Sequence, residues 1–112
     1  MNTLKNKVQL IGNLGKNPEV KELTGGKKVA KFSLATNETY YNKAGEKVTD
    51  TQWHNIVAWG KIAEIMEKYL KQGSEVVVEG KLLNRTWTDK EGKKRYTTEV
   101  QVSDMLMLGG KN

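Results

Sequence analysis

The chain has 112 residues, no cysteine and a formal net charge of +6, the size of one domain able to bury a core without covalent staples. The missing thiol excludes disulfides, thiolate metal sites and cysteine nucleophiles. No apolar run approaches the ~20 residues of a membrane span, and the basic balance favours a polyanionic partner.

Lys5 to Leu14 reads as a first strand, with Val8 and Leu10 on one face and Gly12 and Gly15 suited to a bulge or sharp bend. Gln9, Gly12 and Asn13 break the apolar stretch behind Lys5 and Lys7, so no signal-peptide core is expected. Pro18 marks a turn, and Val20 to Leu23 is a short extended piece closed by Thr24-Gly25-Gly26-Lys27. In Val29 to Tyr40, Ala30, Phe32, Leu34 and Thr36 alternate with Lys31, Ser33 and Ala35, the period of a half-buried strand. Lys43 to Glu46 forms a tip, and Val48 to Trp59 returns as the next strand. Within it Trp53, Asn55, Val57 and Trp59 share one face, and Gln52, His54, Ile56 and Ala58 the other.

Gly60 breaks that strand. Ile62, Ile65, Met66, Tyr69 and Leu70 then fall at the spacing of one helical stripe, with Gly73 as its stop. Val76 to Trp87 is a strand, Asp89-Lys90-Glu91-Gly92 a turn, and Arg95 to Val102 the last strand. Met105 to Leu108 is an apolar end segment expected to pack on the domain or on a partner subunit. Five strands with one helix between the third and fourth predict an all-β fold, the five-stranded Greek-key barrel called the OB-fold, with residues 1–112 as a single domain. An open α+β sheet is the alternative topology.

Catalysis is poorly provisioned. His54 is the only histidine, which rules out a multi-histidine metal site and leaves a serine triad without a nucleophile elbow near its base. Gly12 to Lys16 lacks the spacing of a phosphate loop. No catalytic residue, metal or cofactor is expected. The aromatics carry more information. Trp87 shares its strand face with Lys81 and Arg85, and Trp53 shares its face with Asn55, while aliphatic residues elsewhere already supply a core. Exposed indoles beside cations are what stacked bases and their phosphates require. The cluster Lys81, Arg85, Lys90, Lys93, Lys94 and Arg95 surrounds Trp87 and Tyr96, so charge and aromatic surface coincide. An RNA-binding or primosome-type OB module, a structural oligomeric adaptor and a small hydrolase on the same barrel stand as alternatives.

Several runs together resemble the bacterial-type single-stranded DNA-binding proteins, over roughly Asn6 to Gly110. They include Gly12-Asn13-Leu14-Gly15, Asn17-Pro18-Glu19-Val20, Leu34-Ala35-Thr36, Trp53-His54, Gly60-Lys61, Lys71-Gln72-Gly73-Ser74, Trp87-Thr88-Asp89, Arg95 to Val100 and Met107 to Gly110. The resemblance implies an OB-fold, usually a homotetramer, that binds single-stranded DNA without sequence preference in replication, recombination and repair, in the cytoplasm on the nucleoid.

The family's stacking aromatics fall on Tyr40, Trp53, Trp59 and Trp87. Tyr40 stands where tryptophan is common and Trp59 where phenylalanine is, and both keep a ring. Lys7, Lys61, Lys81, Arg85, Lys93, Lys94 and Arg95 are the expected phosphate ligands, and His54 is placed near a subunit interface. Family members usually continue into a flexible tail with an acidic tip that recruits replication and repair enzymes. This chain stops at Lys111-Asn112, so DNA binding is expected of it and tail-mediated recruitment is not.

Overall fold

The computed structural model describes residues 4–108. A 3-10 turn, Leu4–Asn6, leads into β1 (Val8–Leu14), the short β2 (Glu19–Glu22), β3 (Lys28–Tyr41), β4 (Lys47–Trp59), α1 (Lys61–Tyr69), β5 (Glu75–Thr88) and β6 (Lys94–Leu108). Hydrogen bonding runs β1-β5-β6-β4-β3-β2, and β1 returns to β3 through Asn13 opposite Ala35 and Leu14 opposite Leu34. Five long strands thus close a barrel, with α1 between the third and fourth of them and β2 paired to β3 alone. Every pairing is antiparallel except β4 with β6. This is the expected OB-fold.

The period-two pattern of β3 and β4 decides what is inside. Ala30, Phe32 and Leu34 stand opposite Ala58, Ile56 and His54, and all of these but His54 join the buried cluster. Met66 of α1 with Val76 and Val78 of β5 fills the rest. Each of the larger side chains, Phe32, Leu34, Ile56, Met66, Val76 and Val78, contributes about 1.5–3 kcal/mol by leaving water. Of the bulge or bend expected at Gly12, no bulge forms, and the glycine serves closure of the barrel. Its pairing with Val76 is regular, and a Cβ there would strike the Ala35 carbonyl, so only glycine lets β1 come this close to β3. The bulge lies elsewhere. The β5–β6 register shifts at Glu79/Gly80, leaving Ser103 as the extra residue, and its hydroxyl donates to the Glu79 carbonyl at 3.1 Å.

The helix buries a different stripe from the one the apolar spacing predicts. Ala63 and Met66 are buried, Ile62 is partly covered, and Ile65 and Tyr69 stay exposed. The helix also ends before Gly73: Leu70 turns extended at φ −95°, ψ 146° and drops its side chain into the core. Gly73 instead occupies a left-handed turn (φ 89°) whose amide donates to the Leu14 carbonyl. Lys28 Nζ reaches Glu67 Oε1 at 2.7 Å, tying α1 to β3.

Beyond Ala35, β3 pairs only with β4, and beyond Gly80, β5 pairs only with β6. Two long hairpin arms therefore leave the barrel. Both tips use one device. Asn42 Oδ1 accepts from the amides of Ala44 and Glu46, and Asp89 Oδ1 accepts from those of Glu91 and Lys93, each at 2.9 Å.

Candidate nucleic-acid interface

By alternation Trp53, Asn55, Val57 and Trp59 leave β4 on the side away from the barrel interior, and of these Val57 is itself covered, 1% exposed, while the other three are exposed. Three neighbouring strands continue that face. β3 adds Lys31 opposite Val57, Ser33 opposite Asn55 and Ala35 opposite Trp53. β6 adds Glu99 beside Asn55 and Gln101 beside Val57. β5 adds Arg85 opposite Thr97 and Trp87 opposite Arg95. The result is an outer surface with Trp53 61% exposed, Trp87 50% and Trp59 36%, none of them in the buried cluster.

Each indole is held in its own way. The Trp53 ring lies over Gly15, where a Cβ would come within 2.6 Å of the ring carbon Cζ3. Trp87 Nε1–H donates to Thr97 Oγ1 at 3.0 Å, across the arm. Trp59 lines a cleft of about 440 Å3 with Val29, Val57, Lys21, Lys31 and Arg85. A second cleft, of about 410 Å3, joins Lys16, Lys31 and Ser33 to Asn55, Thr97 and Glu99.

The expected cations do not all gather here. Arg85 does, and its Nε donates to Glu99 Oε1 at 2.8 Å, offsetting the one buried carboxylate of the face. Lys93, Lys94 and Arg95 sit at the tip of the β5–β6 arm near Trp87, with Arg95 Nε bound to Asp89 Oδ2 at 2.8 Å. The Lys93 amide first, and then the Arg95 guanidinium, hold the Asp89 carboxyl below the ordinary carboxylate range. Lys81, opposite Gln101, has the parity of Arg85 and Trp87 and so stays on this face, at its border with a cleft that it shares with Lys7. Lys7 pairs there with Glu79 at 3.0 Å. Lys61 opens α1, exposed.

Tyr40, 52% exposed, stands opposite Val48 and has the parity of His54 and Ile56, so it leaves the β3–β4 arm on the side away from Trp53. Lys21 and Lys31 were not among the expected phosphate ligands. The alternation in β3 already put Lys31 outside, but its approach to Trp59 and Arg85 depends on the pairing of β3 with β4 and of β4 with β6. His54 is half-buried with Nε2 2.9 Å from Thr36 Oγ1. Among the described residues no group of acidic, histidine or cysteine side chains could hold a metal ion, and no helix is long and apolar enough to cross a membrane.

A closed Greek-key barrel bearing exposed indoles among cations on one face defines an oligonucleotide-binding module. The comparisons place it more narrowly. The profile of the Single-strand binding protein family matches residues 5–108, and the chain belongs to that family. It is similar to Single-stranded DNA-binding protein 1 of Chlorobaculum tepidum, 49% identical over 108 residues that make up 96% of this chain and 67% of that protein. Single-stranded DNA-binding protein 1 of Xylella fastidiosa is also 49% identical, over 107 residues, 95% of this chain and 79% of that one. Among solved structures, the Plasmodium falciparum SSB in complex with ssDNA superposes with a TM-score of 0.84 at 39% identity, covering 92% of this chain and 94% of its own.

Proposed function

We infer that this chain binds single-stranded DNA without sequence preference and without chemistry, serving replication, recombination and repair. Family membership supports both halves, since the family's proteins bind DNA and are not enzymes. The observation that carries the mechanism is the shared outer face of Trp53, Trp59 and Trp87, beside Arg85 and Lys31. Bases stack on the rings, each stack contributing about 1–3 kcal/mol, and every base has a face to offer, so sequence is not read. Cations take the phosphates: Arg85, Lys21 and Lys31 around Trp59, and Lys93, Lys94 and Arg95 at the arm beyond Trp87. Lys7, Lys61 and Lys81 serve a strand that continues round the barrel, and Tyr40 one that crosses the edge of the β3–β4 arm. Residues 1–112 act as one domain, in the cytoplasm on the nucleoid.

Family members are typically tetramers, and two features support assembly here. Ile11, Val77 and Leu106 stand side by side across β1, β5 and β6 on the outer surface, with Ile11 and Leu106 more than half exposed. The Val8–Ile11 part of β1 pairs with β5 on one side and has no strand partner on its other edge among the described residues.

Titration with oligo-dT, oligo-U and duplex DNA, read by tryptophan emission, tests the reading. Strong quenching by oligo-dT alone, weakening with salt at about −0.7 per phosphate neutralised, is expected. Preference for oligo-U would favour the RNA-binding module, and no response to any of the three would favour the structural adaptor.

A further inference from the structure

The β3–β4 arm has two sides of opposite character. Its register runs unbroken from Val29 opposite Trp59 to Tyr41 opposite Lys47, so successive residues leave opposite sides along its whole length. On one side Tyr40 and Val48 are followed toward the barrel by Glu38 and Asp50, two carboxylates directly across from each other. Such a pair repels a phosphate chain. The other side continues the Trp53 surface: Asn37 faces Thr51, Thr39 faces Thr49 and Tyr41 faces Lys47. That side of the arm carries no carboxylate. Its hydroxyls and amide are bonding groups for a nucleotide backbone, and Thr51 Oγ1 already donates to Asn37 Oδ1 at 2.6 Å. At its outer end Tyr41 is 71% exposed. At ~3.3 Å per residue, it lies roughly 20 Å along the strand from the position of Trp53.

We propose that Tyr41, with Lys47 directly across from it on the neighbouring strand, forms an additional base-stacking subsite for single-stranded DNA that extends the Trp53 face along the β3–β4 arm. The inference rests on the DNA-binding reading and goes beyond the aromatic positions that the family resemblance supplies. A ring for the base and a cation for the adjoining phosphate are the two elements of a nucleotide subsite, and the uncharged polar run between Trp53 and Tyr41 gives the strand a path to it. To reach Tyr40, the same strand has to cross the arm and pass Glu38 and Asp50.

The test uses the full chain and its Tyr41→Ala, Tyr41→Phe, Tyr40→Ala and Lys47→Gln variants, with oligo-dT of graded length followed by anisotropy. Tyr41→Ala should bind long oligomers about 5- to 150-fold more weakly, the loss of one stack. It should bind oligomers too short to reach past Trp53 as the wild type does. Tyr41→Phe keeps the ring and should bind like the wild type at every length, and Tyr40→Ala should lose less than Tyr41→Ala. Lys47→Gln should lower the salt slope for long oligomers by about 0.7. The inference is overturned if Tyr41→Ala binds long oligomers like the wild type, or if Tyr40→Ala loses more. A wild-type chain that binds no oligo-dT of any length would sink the DNA-binding reading itself, a distinct result.

Discussion

Replacing Trp53 by alanine separates a binding ring from a core ring, and the structure sets the size of both effects. A tryptophan presents about 250 Å2, of which the 61% exposure of Trp53 leaves roughly 100 Å2 covered. At ~25 cal/mol per Å2 that covering contributes about 2.5 kcal/mol. Alanine retains part of it, and a compact denatured chain covers some already, which brings the expected loss of stability to about 1–2 kcal/mol. A tryptophan in the core would cost about 3–5 kcal/mol. Affinity for single strands should fall by about 1–3 kcal/mol, one stack. Urea denaturation at fixed protein concentration gives the first quantity, and oligo-dT titration of the folded variant gives the second. A variant that loses 3–5 kcal/mol of stability and binds normally when folded would show that Trp53 supports the barrel and does not touch DNA.

Leu106→Asp places a charge in the Ile11–Val77–Leu106 row and should lower the mass seen by light scattering while the circular dichroism of the barrel persists; an unchanged mass would remove that row from the interface. A bulky residue at His54 should loosen assembly more than it weakens binding to short oligomers, and the reverse ranking would put His54 at the DNA. Asp89 makes a pH prediction. Because its folded pKa lies below the ordinary 3.8, its hold on the arm tip is complete above pH 3.8 and is lost as pH falls through the lower folded value. The amides of Glu91 and Lys93, followed by NMR, should keep their hydrogen-bonded shifts at neutral pH and lose them only in that acid range, and an earlier loss would contradict the depressed pKa.

The β3 and β4 faces were legible because alternation separates Phe32, Leu34 and Ile56 from Lys31, Trp53 and Trp59 without knowledge of their partners, even though Val29, Ala35 and Val57 on the outer side are buried as well. The helix stripe was misread because Ala63 signals burial weakly, whereas Ile65 and Tyr69 signal it strongly and stay outside. The last strand runs on to Leu108 instead of stopping at Val102. Ser103-Asp104 breaks the alternation on paper, but Ser103 is the bulge residue, and beyond it Met105 again packs on the core. Register was invisible in the sequence, and with it went the sides of Tyr40 and Tyr41, the pairing of Arg85 with Glu99, and the approach of Lys31 to Trp59.

The contact between Gly15 and Trp53 bears on the entropy of binding. A long side chain on an open sheet face samples several rotamers and loses that freedom when a ligand immobilises it, at a cost of about 0.5–1.5 kcal/mol. The Trp53 ring rests on a backbone with no Cβ to push it away, so its freedom is already restricted when the barrel folds, and an incoming base meets a platform in place. Stacking affinity at this ring is therefore set partly by the residue that follows β1, which offers a nucleotide no side chain at all.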